Sequence, residues 1–209
     1  MSHNTIINPL KIILLLFVIA SCSTLVEDKN INKNNIMYKI QSIDSNFSNI
    51  ETLLFVDIST QSLLHIKKGT VLKYYSISSS YYGTGSKENS LKTPLGRHEI
   101  YKKIGNGLPN NAILKGRVWN GAIADIIVEP IDTDFDHVTS RILWLDGLEA
   151  GKNKGKGIDS RNRYIYIHGT HEEGLIGKKA SHGSIRMLNQ DVLELFNMNP
   201  EKTAVNIYL

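Results

Sequence analysis

Arg163 to Met187 reads RYIYIHGTHEEGLIGKKASHGSIRM. It opens with alternation: Tyr164, Tyr166 and His168 fall on one face, Ile165 and Ile167 on the other. That is the period of a β-strand with one buried face. Gly169 and a polar loop follow, then Ser181-His182-Gly183-Ser184-Ile185-Arg186. A histidine at a strand end thus precedes, by 16 residues, a small hydroxyl residue flanked by glycine. A loop of that length can fold back and bring the two side chains together. A hydroxyl beside an imidazole base is the arrangement used for covalent acyl transfer.

The flanking sequence builds outward from this stretch as strands. Leu53 to Ile58 and Leu63 to Lys67 are apolar runs split by Ser59-Thr60-Gln61, which predicts a hairpin. Val71 to Ser78, Arg97 to Ile104, Arg141 to Asp146 and Thr203 to Leu209 read as further strands. Gly105 to Gly116 carries Gly, Asn and Pro and reads as loop. One helix is expected over Gln190 to Asn197, with Asn189 as N-cap and Val192, Leu193, Leu195 and Phe196 available for burial. A second, amphipathic helix is suggested by Ile36, Ile40, Ile43, Phe47 and Ile50. Closely spaced strands with one or two short helices predict a mostly-β sandwich or barrel.

The chain has 209 residues, 41% hydrophobic and 21% charged, enough for one domain with a sizeable core. Its net charge of +4 allows nucleic acid, an anionic membrane or an acidic polymer as partner. The N-terminus argues against nucleic acid. Ile12 to Ala20 is an apolar run after Lys11, too short to span a bilayer but fitting a signal-peptide core. Ile19-Ala20-Ser21-Cys22 then fits a lipobox, with Cys22 as the lipidated residue and the only cysteine. The expected division is a lipoprotein signal peptide over 1–21, a flexible tether over 22–35 and a domain over 36–209. Anchoring to the membrane through lipid on Cys22 follows, in the cell envelope, with the periplasmic side of the outer membrane as the expected location.

His168, Ser181, His182, Gly183 and Arg186, with the blocks TPLGR (Thr93–Arg97) and LWLDGLE (Leu143–Glu149), resemble the L,D-transpeptidase (YkuD-type) family from about Leu53 to Leu209. The family carries a nucleophilic cysteine where this chain has Ser184. The resemblance implies the YkuD-like β fold and acyl transfer on peptidoglycan stem peptides. The bond is that between diaminopimelate and D-Ala, and the acceptor is an amine of another stem or of a lipoprotein. It implies His168 as base, Ser184 in the nucleophile slot, and Gly169, Ser181, His182, Gly183 and Arg186 around the pocket and oxyanion hole. Arg186 is expected to bind a stem carboxylate. Neither cofactor nor metal is implied, and His168, His171, His182 and Glu172 fit no zinc spacing.

The Ser184 substitution changes the energetics. A cysteine paired with histidine ionises before substrate arrives. A serine hydroxyl must lose its proton during attack, to a histidine usually oriented by a buried carboxylate. Asp146 and Asp159 are the nearest candidate acids in matching blocks. The alternatives to an active transpeptidase are a wall-binding pseudoenzyme and a hydrolase, carboxypeptidase or amidase, of the same bond.

Overall fold

The computed structural model describes residues 36–43 and 45–209. The expected signal peptide over 1–21 and tether over 22–35, with Cys22, lie outside the described residues. The chain divides into two units, one ending at Phe47 and one running Ser48–Leu209. In the first, residues 36–43 are helical, with Ile40 buried. Among the described residues no helix is long and apolar enough to cross a membrane.

The second unit is one mixed sheet of ten strands. The strands are β1 (Thr52–Asp57), β2 (Ser62–Lys67), β3 (Thr70–Ser76), β4 (Gly96–Ile104), β5 (Ala112–Lys115), β6 (Val118–Ile123), β7 (Val138–Gly147), β8 (Tyr166–Thr170), β9 (Ile185–Met187) and β10 (Ala204–Tyr208). The path runs β3-β2-β1-β10-β4-β7-β5-β6, and β8 branches from β7 to pair with β9. The β1–β10 and β8–β9 pairings are parallel and the rest antiparallel.

The sequence dictates most of this. β1 is an apolar run because its interior is covered on both faces, and it forms the expected hairpin with β2. The core gathers Leu54, Val56, Leu63, Ile100, Leu143, Leu145, Val205 and Ile207 with Ile165, Ile167, Ile185 and Met187. Each such side chain contributes about 1.5–3 kcal/mol on burial. The helix Asn189–Met198 closes the core with Val192, Leu195 and Phe196.

Three local expectations are corrected. The stretch read as loop contains β5, which pairs with the exposed β6. Asn189 is not the N-cap: Leu188 precedes the helix, and the Asn189 amide faces inward instead. Tyr164 does not share the face of Tyr166 and His168, because it sits before β8 with φ +57° and is exposed.

Candidate active site

β8 and β9 run side by side in register, with Ile167 opposite Ile185 and His168 opposite Arg186. Ile165, Ile167, Ile185 and Met187 take the core face. The alternation of both strands therefore turns Tyr166, His168, Ser184 and Arg186 to the other face. Ser184 lies one strand over from His168 and two residues back, so their Cα atoms are about 8 Å apart from strand spacing and rise.

His168 is buried, and its Nδ1 lies 2.7 Å from the Gly169 carbonyl oxygen. A carbonyl can only accept, so Nδ1 carries the proton and Nε2 keeps its lone pair. Burial holds the imidazole below its ordinary range; the Asp136 carboxylate and the Gly169 bond oppose that shift and Arg186 adds to it. The result is a neutral imidazole in the tautomer of a general base. The orienting group is a backbone carbonyl rather than Asp146 or Asp159. Asp146 pairs with Lys154 at 3.2 Å, and Asp159 accepts from the Asn162 N–H at 3.0 Å.

Ser184 is half-buried. Its hydroxyl accepts from the Tyr166 N–H at 3.1 Å and donates weakly to the Tyr164 carbonyl at 3.5 Å. The structure thus brings Ser184 and His168 to one face, with the hydroxyl bound to the strand backbone between them. Tyr166 touches both, since its ring also lies edge-on to His168 with centroids 6.4 Å apart. Its phenol accepts from Arg117 Nη1 at 3.2 Å, and the Arg117 guanidinium lies over the rings of Trp144 and Tyr164.

The Ser181–Ser184 turn is fixed from within. Ser181 is fully buried; its hydroxyl donates to the Ser184 carbonyl at 2.5 Å and accepts from the Gly183 N–H at 3.3 Å. Thr93 Oγ1 donates to the Gly183 carbonyl at 2.9 Å. Gly183 has φ +123°, a conformation that L side chains rarely adopt. Ser181 therefore braces the turn rather than lining a pocket, and the Gly183 N–H is engaged within it. Gly169 has no room for a side chain, since a Cβ would meet Asn189 Oδ1 at 2.5 Å. Beside the turn, Glu88, Asn89, Leu91, Arg163, Tyr164 and His182 line a cavity of about 190 Å³.

Arg186 is not a free carboxylate receptor. It is fully buried, with Nη1 2.8 Å from Glu172 Oε2 and Nη2 2.8 Å from Asp136 Oδ2. Asp136 Oδ2 also lies 3.0 Å from His182 Nδ1. Glu172 Oε1 accepts from the Thr133 N–H and hydroxyl. Residues 132–137 are thereby fastened beside the site. Sequence reading missed Asp136 and gave Glu172 no role. The only available signal was that a buried arginine on β9 requires anions, and nothing in the spacing says which.

The family description YkuD, L,D-transpeptidase catalytic domain, matches residues 51–207. A Bacillus licheniformis protein named "Putative L,D-transpeptidase YkuD" is 54% identical over 41 residues, 20% of this chain and 25% of that protein. Among solved structures, an L,D-transpeptidase from Mycobacterium smegmatis is 15% identical, covering 76% of this chain and 59% of its own, with a TM-score of 0.45. One from Xylanimonas cellulosilytica is 18% identical, covering 76% and 61%, with a TM-score of 0.43. L,D-transpeptidase 3 from Mycobacterium tuberculosis is 13% identical, covering 76% and 61%, with a TM-score of 0.46. The chain spans about six-tenths of these solved relatives. With three-quarters of its length matched by the family description, this chain belongs to the L,D-transpeptidase catalytic domain (YkuD) family.

Proposed function

We propose that the protein is an envelope lipoprotein that transfers acyl groups on peptidoglycan stem peptides, at the bond between diaminopimelate and D-Ala. The observation that carries this is a buried neutral His168, its Nδ1–H fixed on Gly169 so that Nε2 carries the lone pair, on the same face as Ser184 one strand away. In the first half-reaction Ser184 Oγ bonds to the carbonyl carbon and its proton passes to His168 Nε2. The C–N bond then breaks, and that proton leaves on the D-Ala amine. An acceptor amine attacks the resulting ester, gives its proton to His168, and Ser184 Oγ is reprotonated as it departs. The acceptor is an amine of a second stem or of a lipoprotein side chain. A signal peptide over 1–21, lipid on Cys22 and a tether to residue 35 would hold the domain of residues 36–209 at the wall.

A second reading is favoured by one observation. The Ser184 hydroxyl bonds to the backbone of Tyr164 and Tyr166, the arrangement of a filled slot in a wall-binding pseudoenzyme. Incubating purified wall with wild type, His168→Ala and Ser184→Cys and analysing the muropeptides separates these readings. The acyl-transfer reading expects crosslinked or exchanged products with wild type, none with His168→Ala, and at least as many with Ser184→Cys. Products from Ser184→Cys alone support the pseudoenzyme. Trimmed stems without crosslinks indicate water as acceptor, a hydrolase.

A further inference from the structure

We propose that Asp136 is a positioning residue for this reaction: held by Arg186 and His182, its carboxylate makes the buried charge cluster beside His168 net negative and stabilises the imidazolium formed as Ser184 is deprotonated. The proposal rests on the acyl-transfer reading above.

The problem it solves is posed by Ser184. As Oγ bonds to the carbonyl carbon, the carbonyl electron pair moves to oxygen and the Oγ proton moves to His168 Nε2. A full positive charge then appears on a buried imidazole. The Gly169 carbonyl fixes the tautomer but supplies no countercharge. In serine acyl transfer that countercharge comes from a carboxylate.

Asp136 is placed to provide it. Arg186 stands directly opposite His168 in the β8–β9 register. Arg186 Nη1 is matched by Glu172, a pair of zero net charge. Asp136, 2.8 Å from Nη2, adds a second carboxylate to one guanidinium, so the cluster carries one excess negative charge. For fold stability alone one buried carboxylate would neutralise Arg186, and a second costs desolvation. Moreover, Asp136 Oδ1 is buried and has no hydrogen-bond partner among the described residues. Such an atom calls for a functional or structural explanation. The charged and titratable groups around the imidazole are Arg186 on β9, Tyr166 on β8 and Asp136 before β7, and beyond them His137, Glu172 and His171, and His182 in the turn. Asp136 and Arg186 act on His168 with opposite sign, and the Asp136 attraction is the larger.

The test compares full-length wild type, Asp136→Asn, which keeps the shape and removes the charge, and Asp136→Glu, which restores it. Asp136→Ser serves if Asp136→Asn does not fold. First, histidine NMR without substrate follows the His168 titration, assigned against His168→Gln. The midpoint is expected at lower pH in Asp136→Asn and back toward wild type in Asp136→Glu; an unmoved midpoint in a folded neutral variant overturns the proposal. Second, kcat/KM on stem peptide is expected to fall about 10–100-fold in Asp136→Asn, the range set by one opposite charge near an ionising group. Its acid limb should move to lower pH, because the base required to be neutral has become weaker. In the Ser184→Cys background the loss should be smaller, since a thiol can ionise before attack. Equal losses in both backgrounds with an unmoved acid limb reduce Asp136 to a structural role and overturn the proposal. A wild type without turnover overturns the acyl-transfer reading and with it the role of Asp136 in that reaction, whereas an unmoved His168 midpoint in an active wild type overturns the Asp136 proposal alone.

Discussion

Arg186→Met removes the cation that joins β9 to Glu172 and to Asp136. The side chain is fully buried, as is that of Glu172, while that of Asp136 is 22% exposed. Methionine fills much of the same volume, so the dominant effect is electrostatic: the fully buried Glu172 and the mostly buried Asp136 lose the cation they share. Breaking a buried pair from one side costs about 3–5 kcal/mol. For a chain of this size each kcal/mol shifts Tm by about 2–4 °C, so the melting temperature should fall by about 6–20 °C. The pH dependence sharpens the test. Burial pushes the Asp136 carboxyl up, but Arg186, His168 and the His182 bond together pull it further down, leaving it below the usual carboxylate range. A depressed folded value contributes stability that is present above the unfolded carboxylate value and is lost as pH falls through the folded one. With Arg186 gone, burial is left to raise Asp136, so the variant is penalised at neutral pH and relieved as acid protonates the group. The gap between wild type and variant should therefore be largest at pH 7 and shrink toward pH 4. Urea unfolding followed by circular dichroism at both pH values measures it. A gap under 1 kcal/mol at pH 7, or one of equal size at both pH values, would refute this account of the cluster.

Asn189→Ala should destabilise by about 2–4 kcal/mol in urea unfolding, because it strands several buried hydrogen-bonding groups at once. Asn189 Oδ1 accepts from the hydroxyls of Thr139 and Ser140, and Nδ2 donates to Thr170 O and Glu173 Oε1, all at 2.6–2.8 Å. Burial lowers His98 to about 4 despite its bond to Gly96 O, so this histidine is neutral in the fold. Its contribution is complete above its unfolded value near 6.5 and declines as pH falls toward 4, by about 3 kcal/mol. His98→Gln should flatten the stability profile over that window. Cys22→Ala should release the protein from membranes into the soluble fraction of an envelope preparation. Retention on the membrane would remove the lipid anchor from the proposed function.

The sequence was most legible where one periodicity governed one face. Ile165 and Ile167 declared the core side of β8 and put His168 on the opposite side by alternation, whereas β9, only three residues long, gave no period to read and Ser184 was paired with His168 by loop length and motif. The β1–β2 hairpin and the helix Asn189–Met198 were legible for the same reason. β5 and β6 were not, because β6 is exposed throughout and a strand with no buried face leaves no alternation to read. Tyr164 obeyed the period but not the geometry, since a left-handed residue ends the strand before it. Asn189 looked like a cap because asparagine often is one; its amide is instead occupied by strands distant in sequence. The charge cluster was the least legible part. Asp136 lies 50 residues before Arg186, and only the closed sheet brings them together.

The place of β10 bears on the order in which the sheet can close. This strand is inserted between β1 and β4, in the middle of the sheet rather than at its rim. Neither β1 nor β4 can find that neighbour until Ala204–Tyr208 has been delivered, so the halves on either side stay unjoined while the earlier residues are being made. Non-local pairings of this kind close slowly. A chain that postpones this closure keeps its two half-sheets apart, and the sheet locks only once Ala204–Tyr208 has taken its place between them.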